Sequence, residues 1–441
     1  MNYLKVKIKS GIEEWPIVCT KCYVRIKYYF HISKYVFIIC ILSIEFIIIE
    51  SEYLKPQIYH QYNDHNEENI HTFISTVTFF LSAQTPHGHV HSHSHGRKIT
   101  FPDVPGYKVL KCDFHQHSVF SDGSVWPDIR VEEAVRDGLD VISLTEHLEY
   151  QPHKPDIPHP DRNRSYQLAL NSAKNQNLIV VRGSEVTRSM PPGHINAIFI
   201  KDANKLLDDD PVKVFREAKE QGAFIFWNHP NWTSQVKDGI AKLTDMHRQL
   251  IREGLLHGIE VVNDLNYSEE ALQIAFDNSL AVIGSSDIHG LIDWQFDVPE
   301  GGHRPVTLVF TKERTEDGVK DGLMNERTVA WFNNTLIGKN EFLVPLIESS
   351  IVVKEVAYSG DTKVAHITIE NISDAEYVLE NLSDYTLHQH ADIINLKPNA
   401  ATVLEVKTIE ILDSFSMKFK VLNAVDAPKS HPEINLQFRV K

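Results

Sequence analysis

Between residues 107 and 338 the chain alternates short apolar runs with amphipathic stretches, and this pattern limits the fold more than any other feature. The apolar runs have the length and composition of buried strands. Seven strands are predicted, at Val109–Phe114, Val141–Leu144, Leu178–Arg182, Ile195–Ile200, Ala223–Trp227, Ile259–Val262 and Ala281–Gly284. Helical periodicity separates them, at Val131–Asp137, Arg164–Asn175, Pro211–Gln221, Thr244–Leu256 and Glu269–Asn278. This alternation predicts an α/β fold with a parallel sheet, closed most simply as a seven-stranded (β/α)7 barrel.

Potential metal ligands flank six of the seven predicted strands. The nine residues are His115, His117, Asp122, His147, Glu185, His194, His229, Asp287 and His289. The carboxyl ends of parallel barrel strands share one face, so we expect these side chains to converge there. In His-x-His and Asp-x-His the outer side chains point the same way, because side chains alternate along a strand. Imidazole and carboxylate groups are ligands of zinc, manganese and iron, so the set predicts a metal centre.

The order H-x-H, T-E-H, a single Glu, a single His, N-H-P and S-D-x-H resembles the PHP (polymerase and histidinol phosphatase) family of metal-dependent phosphoesterases over residues 107–338. The resemblance implies a distorted seven-stranded barrel that holds three divalent ions, of zinc, manganese or iron. It assigns the first ion to His115, His117, Glu185 and Asp287. It assigns the second to Glu185, His194 and His229, and the third to Asp122, His147 and His289. Many relatives have His where Asp122 stands, so the preferred metal can differ in this chain.

Two later segments, His303–Arg314 and Thr328–Gly338, resemble the Sb-PDE-type phosphodiesterases, a PHP subgroup that acts on organophosphate diesters. We therefore expect a hydrolase of small phosphodiesters, in which a hydroxide bridging two ions attacks phosphorus. Glu185 and Asp287 would hold the reacting centre. Arg304 is expected to bind a phosphate oxygen, with a surface ion pair as the alternative. The competing functions are a phosphomonoesterase of the histidinol-phosphatase or nucleotidase type, and a non-catalytic metal-binding protein.

Several neighbours of these ligands have two interpretations. Glu146 either orients the histidine that follows it or forms an ion pair at the barrel rim. Asn228 is expected to position the histidine after it. Trp227 and Trp232 either line a pocket for an apolar ester group or pack in the core.

The charge balance excludes one class of partner. The chain has 44 Lys and Arg residues against 59 Asp and Glu residues, a net charge of −15. Nucleic-acid binding depends on clustered positive charge, so we expect no nucleic-acid partner. A small phosphate ester remains a suitable substrate, because bound divalent ions would supply the positive charge.

The two ends of the chain differ from the barrel region. In residues 1–84 basic residues precede the apolar run Tyr35–Ile49, and Phe73–Ala83 has the character of a secretory signal. We expect export to the periplasm or outside the cell, or a membrane anchor; a translation start near residue 70 is another explanation. Residues 85–106 form a linker with five alternating histidines, either metal-binding or disordered. Residues 339–441 predict a small all-β sandwich, interpreted as a covering or homo-oligomerising module.

Overall fold

The computed structural model describes residues 98–440. The signal or anchor region at 1–84 and the linker histidines lie outside the described residues, so the expectations for them stay predictions. Among the helices of residues 98–440, none combines the length and the hydropathy that crossing a bilayer requires.

Strands and helices alternate in the first part of the described chain, as the sequence predicts. The strands are β1 (Lys108–Asp113), β2 (Val141–Leu144), β3 (Ile179–Val186), β4 (Ile195–Ile198), β5 (Phe224–Trp227), β6 (Gly258–Asn263), β7 (Asn266–Tyr267), β8 (Ala281–Ser285), β9 (Val306–Thr311), β10 (Thr328–Phe332) and β11 (Thr335–Gly338). The helices are α1 (Pro127–Asp137), α2 (Arg164–Ala173), α3 (Pro211–Glu220), α4 (Asp245–Arg252), α5 (Glu269–Asp277), α6 (Ile292–Gln295), α7 (Glu316–Met324) and α8 (Asn340–Ser350). All seven predicted strands are present, as β1–β6 and β8.

Capping residues fix where two of these helices begin. Helix α3 starts with Pro211, and the Asp210 carboxylate accepts the Val212 N–H at 3.0 Å. Helix α4 starts after a capping box, in which the side chains of Thr244 and His247 each bond to the other residue's backbone N–H. Both helices therefore begin within one residue of the start that the periodicity predicts.

The strands form one curved sheet of mixed direction. Its hydrogen-bonded order here is β11-β10-β9-β1-β2-β3-β4-β5-β6-β7, with β8 paired to β6. Strands β1, β2 and β3 run parallel, as do β5, β6 and β8, but β4 is antiparallel to both β3 and β5. The expectation of a parallel sheet is wrong for β4. The loop between Val186 and Ile195 contains no helix, and a parallel return needs a long crossover.

The sheet curls until the ends of β1 and β8 meet. Gln116 and Ile288, which lie just beyond these strands, form a parallel bridge. Deeper in the sheet the Thr307 hydroxyl on β9 donates to the Gly284 carbonyl on β8 at 2.8 Å. The seven predicted strands therefore belong to a barrel-like sheet of twelve strands, namely β1–β11 and the short strand β19 (Ala424–Val425), and do not form a separate seven-stranded barrel.

The C-terminal part is a sandwich of two four-stranded sheets. One sheet contains β12 (Ile351–Tyr358), β13 (Val364–Asn371), β17 (Ala400–Lys407) and β15 (Thr386–Leu387). The other contains β16 (Ile393–Leu396), β14 (Tyr377–Asn381), β18 (Ser414–Val421) and β20 (Glu433–Arg439). Buried and exposed residues alternate along β18 and β20, because only one face of each strand packs inside the sandwich. The predicted all-β domain is present.

A short strand of the sandwich region, β19 (Ala424–Val425), continues the barrel-like sheet by pairing parallel to β11. One buried apolar cluster also runs from Trp331 and Phe342 to Tyr377 and Phe419. The barrel region and the sandwich therefore share both a sheet and a core.

Candidate metal centre

All nine predicted ligands lie around one cavity at the end of the barrel-like sheet. The cavity has a volume of about 360 Å³. Six of the nine line its wall: Asp122, His147, His194, His229, Asp287 and His289. His115, His117 and Glu185 lie fully buried within hydrogen-bond or ion-pair distance of these six. The structure therefore brings the whole predicted set together.

The first group of donors joins the His-x-His pair to two carboxylates. The Nε2 atoms of His115 and His117 are 3.1 Å apart, and each lies 3.1 Å from Asp287 Oδ1. Glu185 contributes both oxygens, with Oε1 3.6 Å from His115 Nε2 and Oε2 3.6 Å from His117 Nε2. Two imidazoles and two carboxylates that face one another in this way form a donor set suited to a divalent transition metal.

Glu185 also faces a second group of donors. Its Oε1 atom lies 3.0 Å from His194 Nδ1 and 3.5 Å from His229 Nε2. The carboxylate therefore stands between two groups, as a bridging ligand must. The Asn228 side chain donates to the same oxygen at 2.8 Å, so it holds Glu185 and not the following histidine, for which it was expected.

The third group joins Asp122 to two histidines. Asp122 Oδ1 lies 3.1 Å from His289 Nε2, and Asp122 Oδ2 lies 3.4 Å from His147 Nε2. The residue after Asp122 has to be glycine, because a Cβ at Gly123 would lie 2.7 Å from the His117 carbonyl carbon. The tight Ser-Asp-Gly turn thus places the carboxylate beside the H-x-H segment.

Two of the predicted ligands have an unusual backbone conformation. His229 has a φ of 29° and Asp287 a φ of 49°, in or near the left-handed region that L-residues seldom adopt. The His229 N–H donates to a Glu260 oxygen at 2.7 Å, and the Asp287 N–H donates to the His115 carbonyl at 2.9 Å. Strain of this kind persists where surrounding structure holds it, most often at functional sites.

The ionisable groups around the cavity are carboxylates and imidazoles. Three buried carboxylate oxygens face imidazole nitrogens: Asp122 Oδ1 lies 3.1 Å from His289 Nε2, Glu185 Oε2 lies 2.6 Å from His147 Nδ1, and Asp287 Oδ1 lies 3.1 Å from His115 Nε2. In the part of the chain that the structure describes, no Lys or Arg lines the cavity. Burying a carboxylate costs several kcal/mol unless a nearby cation offsets its charge. The residues therefore fit divalent metal ions, which would supply the missing charge.

The pKa values of the site show the same negative field. Burial disfavours a charged imidazole, but the Glu185 carboxylate above all raises the pKa of His147 to about 10. Burial, with the neighbouring His289, lowers the pKa of His117 to about 3. Burial opposes ionisation of Glu185 too, yet His147 and His115 hold the pKa of that carboxyl well below its usual range. The Glu185 carboxylate is therefore ionised and available to a cation.

Sequence reasoning missed Glu260, a buried carboxylate on β6. Its Oε1 atom accepts from the His115 Nδ1–H at 2.7 Å and from the Ser285 hydroxyl. Its Oε2 atom accepts from the His229 N–H at 2.7 Å and from Asn263 Nδ2 at 2.8 Å. The first contact keeps the proton on Nδ1 and leaves His115 Nε2 free to bind an ion. The available signal was a Glu inside an apolar strand, because a buried carboxylate must find partners.

Glu146 supports the H-x-H segment, and neither of the two interpretations given for it holds. It accepts the Ser118 N–H at 3.0 Å, the Ser118 hydroxyl, and the Ser121 hydroxyl at 2.6 Å. Ser121 Oγ in turn lies 3.2 Å from His117 Nδ1. Glu146 therefore reaches His117 through a serine, and it is not a surface ion pair.

Arg304 does not reach the cavity, so the expectation that it binds a phosphate oxygen is wrong. Its side chain is fully buried, with Nη2 2.7 Å from Asp137 Oδ2 and Nη1 3.3 Å from Asp113 Oδ2. Asp113 also accepts the N–H and the hydroxyl of Ser286, the residue before Asp287. Arg304 therefore helps to hold the end of β8 from within the fold, which also rules out a surface ion pair.

The two candidate tryptophans have different environments. Trp227 is fully buried and stacks on His247, with ring centroids 3.9 Å apart. Trp232 is 44% exposed, lines the cavity and meets the rings of His194 and His229 edge-on. Of the pair, Trp232 offers apolar surface to a substrate and Trp227 is a packing residue.

Comparisons with known proteins bear on both parts of the chain. A family model described as an Ig-like domain matches residues 351–437. The chain is similar to the crystal structure of a two-domain protein from Bacteroides vulgatus, described as containing a predicted PHP-like metal-dependent phosphoesterase. The identity is 42% and the TM-score 0.73, over 78% of this chain and 99% of that one. No curated protein matches the chain.

Two other solved structures are more distant. A protein from Bifidobacterium adolescentis, described as a candidate metal-dependent phosphoesterase, has 17% identity and a TM-score of 0.32, over 41% of this chain and 88% of that one. PsfC from Pseudomonas syringae has 17% identity and a TM-score of 0.37, over 51% of this chain and 92% of that one.

Proposed function

The chain belongs to the PHP-like metal-dependent phosphoesterases, as its 42% identity across 99% of the Bacteroides protein shows, and we propose that it hydrolyses small phosphodiesters. One observation carries the proposal. The Glu185 carboxylate lies close to both the His115–His117 pair and the His194–His229 pair, and among the described residues no Lys or Arg lines the cavity beside it. Such a set suits a pair of ions that share one carboxylate.

Divalent ions bound there would act as Lewis acids that generate a nucleophile from water near neutral pH and neutralise charge on the phosphoryl oxygens. The chain's own residues prepare the site. Glu260 keeps the His115 proton on Nδ1, and the Asn228 amide orients Glu185. Asn263 Nδ2 lies 3.2 Å from Asp287 Oδ2 and orients that carboxylate. The donor set is thus preorganised, which lowers the cost of assembling it during reaction.

The preference for a diester over a monoester is supported by Trp232. Its ring is 44% exposed and stands beside His194 and His229 at the cavity wall. A second ester group has apolar surface that can pack against this ring, whereas a bare phosphate gains nothing from it. The residues His303 and Arg304, which carried part of the resemblance to the diester-cleaving subgroup, contribute no contact to the cavity wall.

The test compares bis(p-nitrophenyl) phosphate with p-nitrophenyl phosphate. Purified protein would be stripped with a chelator and then supplied with zinc, manganese or iron separately. We expect turnover to vanish on chelation, to return with at least one of these ions, and to favour the diester in kcat/KM. A clear preference for the monoester would overturn the diester proposal and favour a phosphomonoesterase. Stoichiometric metal without turnover of either ester would favour a non-catalytic metal-binding protein.

Elemental analysis of the same protein tests the proposed number of ions. Three overlapping clusters of His, Asp and Glu donors support three divalent ions per chain, and Glu185 belongs to two of these clusters. Fewer than two equivalents in fully active protein would contradict the bridging role. Export through the N-terminal region and a homo-oligomer remain proposals that rest on the sequence.

A further inference from the structure

The part of the cavity wall beyond the predicted ligands differs from an ordinary phosphate pocket. It is formed by Trp232, Asn263, Asp264, Asn266, Gly290 and Gln295. Among these residues are three amides, one carboxylate and one tryptophan, but no Lys or Arg. A second anionic group on the substrate would therefore find no protein counter-charge on this wall.

Asp264 is held in place at this wall. Its N–H donates to the Ser285 carbonyl at 3.2 Å, and its Oδ1 atom accepts from Gln295 Nε2 at 2.7 Å. The group is thus an oriented acceptor on the Asp287 side of the cavity.

Arginines near the predicted ligands are already engaged. Arg188, which follows β3, lies 2.8 Å from Glu149 and donates to the Asp208 carbonyl at 2.6 Å. Arg130 is buried below the H-x-H segment, where it donates to the His117 carbonyl at 2.9 Å and lies 2.7 Å from Glu133. Neither lines the cavity.

We propose that the substrate carries an uncharged, hydroxyl-bearing alcohol, such as a glycerol- or sugar-like group, and that esters with a second phosphate are disfavoured. The inference rests on the proposed phosphoesterase function. The bound ions would neutralise the scissile phosphate, whereas a second anion beyond them would face Asp264. Hydroxyl groups pair with the carboxylate and amides of Asp264, Asn266 and Gln295, and C–H surface packs on Trp232. A quaternary ammonium is recognised best by several aromatic rings, and beyond the histidines this wall has one.

The experiment uses diesters with the same p-nitrophenolate leaving group, so that the chemical step stays constant. The probes are p-nitrophenyl glyceryl phosphate, the same ester phosphorylated on its terminal hydroxyl, and p-nitrophenyl phosphorylcholine. We expect the metal-loaded enzyme to cleave the glyceryl ester with the highest kcat/KM. Repulsion between unit charges about 4 Å apart in water predicts a penalty of about fivefold for the phosphorylated ester.

Variants of the cavity wall test whether its residues cause the lower kcat/KM of the phosphorylated ester. Asp264 has a φ of 51°, so Asp264→Asn is the suitable change, because asparagine tolerates the left-handed region. Gln295→Lys adds a cation on α6 beside it without altering that backbone. We expect Asp264→Asn to bring the kcat/KM values of the glyceryl and phosphoglyceryl esters closer together, and Gln295→Lys to bring them closer still. Asp361→Lys, on an exposed turn of the sandwich, changes the net charge in the same direction and should leave the ratio unaltered.

Each outcome decides the matter. Equal cleavage of the glyceryl and phosphoglyceryl esters, or a ratio that both cavity variants leave unchanged, would overturn the inference while the phosphodiesterase proposal stands. Fastest cleavage of the choline ester would replace the hydroxyl-bearing alcohol by a cationic one. No turnover of these esters or of bis(p-nitrophenyl) phosphate with any metal would overturn the proposed function and this inference together.

Discussion

Replacing Glu260 by glutamine tests how the fold controls the chemistry of His115. Both carboxylate oxygens accept two hydrogen bonds: Oε1 from His115 Nδ1 and Ser285, Oε2 from the His229 N–H and Asn263. In Glu260→Gln one of these positions becomes an NH₂ donor. Placed at the Oε2 position it would face two N–H donors, so it should take the Oε1 position, where the serine hydroxyl can turn and accept. His115 must then accept at Nδ1 and carry its proton on Nε2, the atom that faces the other donors.

The expected cost follows from that change of tautomer. An imidazole protonated at Nε2 cannot bind an ion there until the proton moves, and removing such carboxylate partners commonly weakens metal binding by about 10- to 100-fold, or ~1.4 to 2.7 kcal/mol. Competition against a chelator of known affinity would measure the loss directly. Turnover of bis(p-nitrophenyl) phosphate at saturating metal would show whether reloading restores activity.

Glu146→Gln is the matched control. Glu146 is also a buried carboxylate beside a ligand histidine, but two of its three donors are serine hydroxyls, Ser118 and Ser121, which can reverse direction to accept from an amide. We expect this variant to keep metal affinity within about threefold of the unaltered protein, since no histidine tautomer is forced. Equal metal affinity in Glu260→Gln and the unaltered protein, with full turnover, would refute the reasoning.

Four further results are expected. Glu185→Gln should lower kcat by about a hundredfold more than Asp122→Asn, because a shared carboxylate serves two ions. Steady-state kinetics at saturating metal would measure both losses, and equal losses would contradict the bridging role of Glu185. Arg304→Ala should lower the free energy of unfolding by ~3–5 kcal/mol in urea titrations, because the buried Asp113 and Asp137 would lose the cation they share; KM of the folded enzyme should stay unchanged, since Arg304 does not line the cavity. Burial lowers the pKa of His247 to about 4, below its value near 6.5 in the unfolded chain. The unfolded chain therefore binds the proton first, and stability is lost as pH falls from about 6.5 to 4. In His247→Gln the urea midpoint should depend less on pH over this range, and an unchanged slope would contradict the assignment. Protein that starts at Lys98 should retain metal and turnover, because every proposed ligand lies beyond it; loss of bound metal would give the linker histidines a role.

The sequence located the donor set because of where its residues stand along the chain. A ligand at the end of a predicted strand needs little further information, since the strand ends of a curved sheet converge. His147, His229 and Asp287 each follow an apolar run and reach the cavity as predicted. The direction of each strand in the sheet was harder to predict from the sequence. The apolar pattern of β4 is compatible with either strand direction. The absence of a helix before it was the feature that indicated an antiparallel strand.

Supporting residues were harder to predict, because their roles depend on contacts far apart in sequence. Arg304 stands beside a strand, as a phosphate ligand would, but its partner Asp137 ends α1 and the pairing buries both. Glu260 lies within the apolar strand β6 and contacts His115, which follows β1, five strands away in the sheet. Sequence position alone gives the type of group in such cases. The direction in which it points is decided by packing.

The pairing of β19 with β11 has a consequence for how this chain can be divided. The Ig-like family match spans residues 351–437, and β19 lies inside it, yet its hydrogen bonds belong to the sheet that carries the metal ligands. Cutting the chain before the match would leave one edge of β11 unpaired and expose apolar residues of α8 that pack in the same core as the sandwich. An open strand edge beside newly bared apolar surface invites association with other chains. We therefore expect the Ig-like part and the barrel region to fold as one unit. Exchange of the Ig-like part alone between related enzymes should destabilise the barrel region.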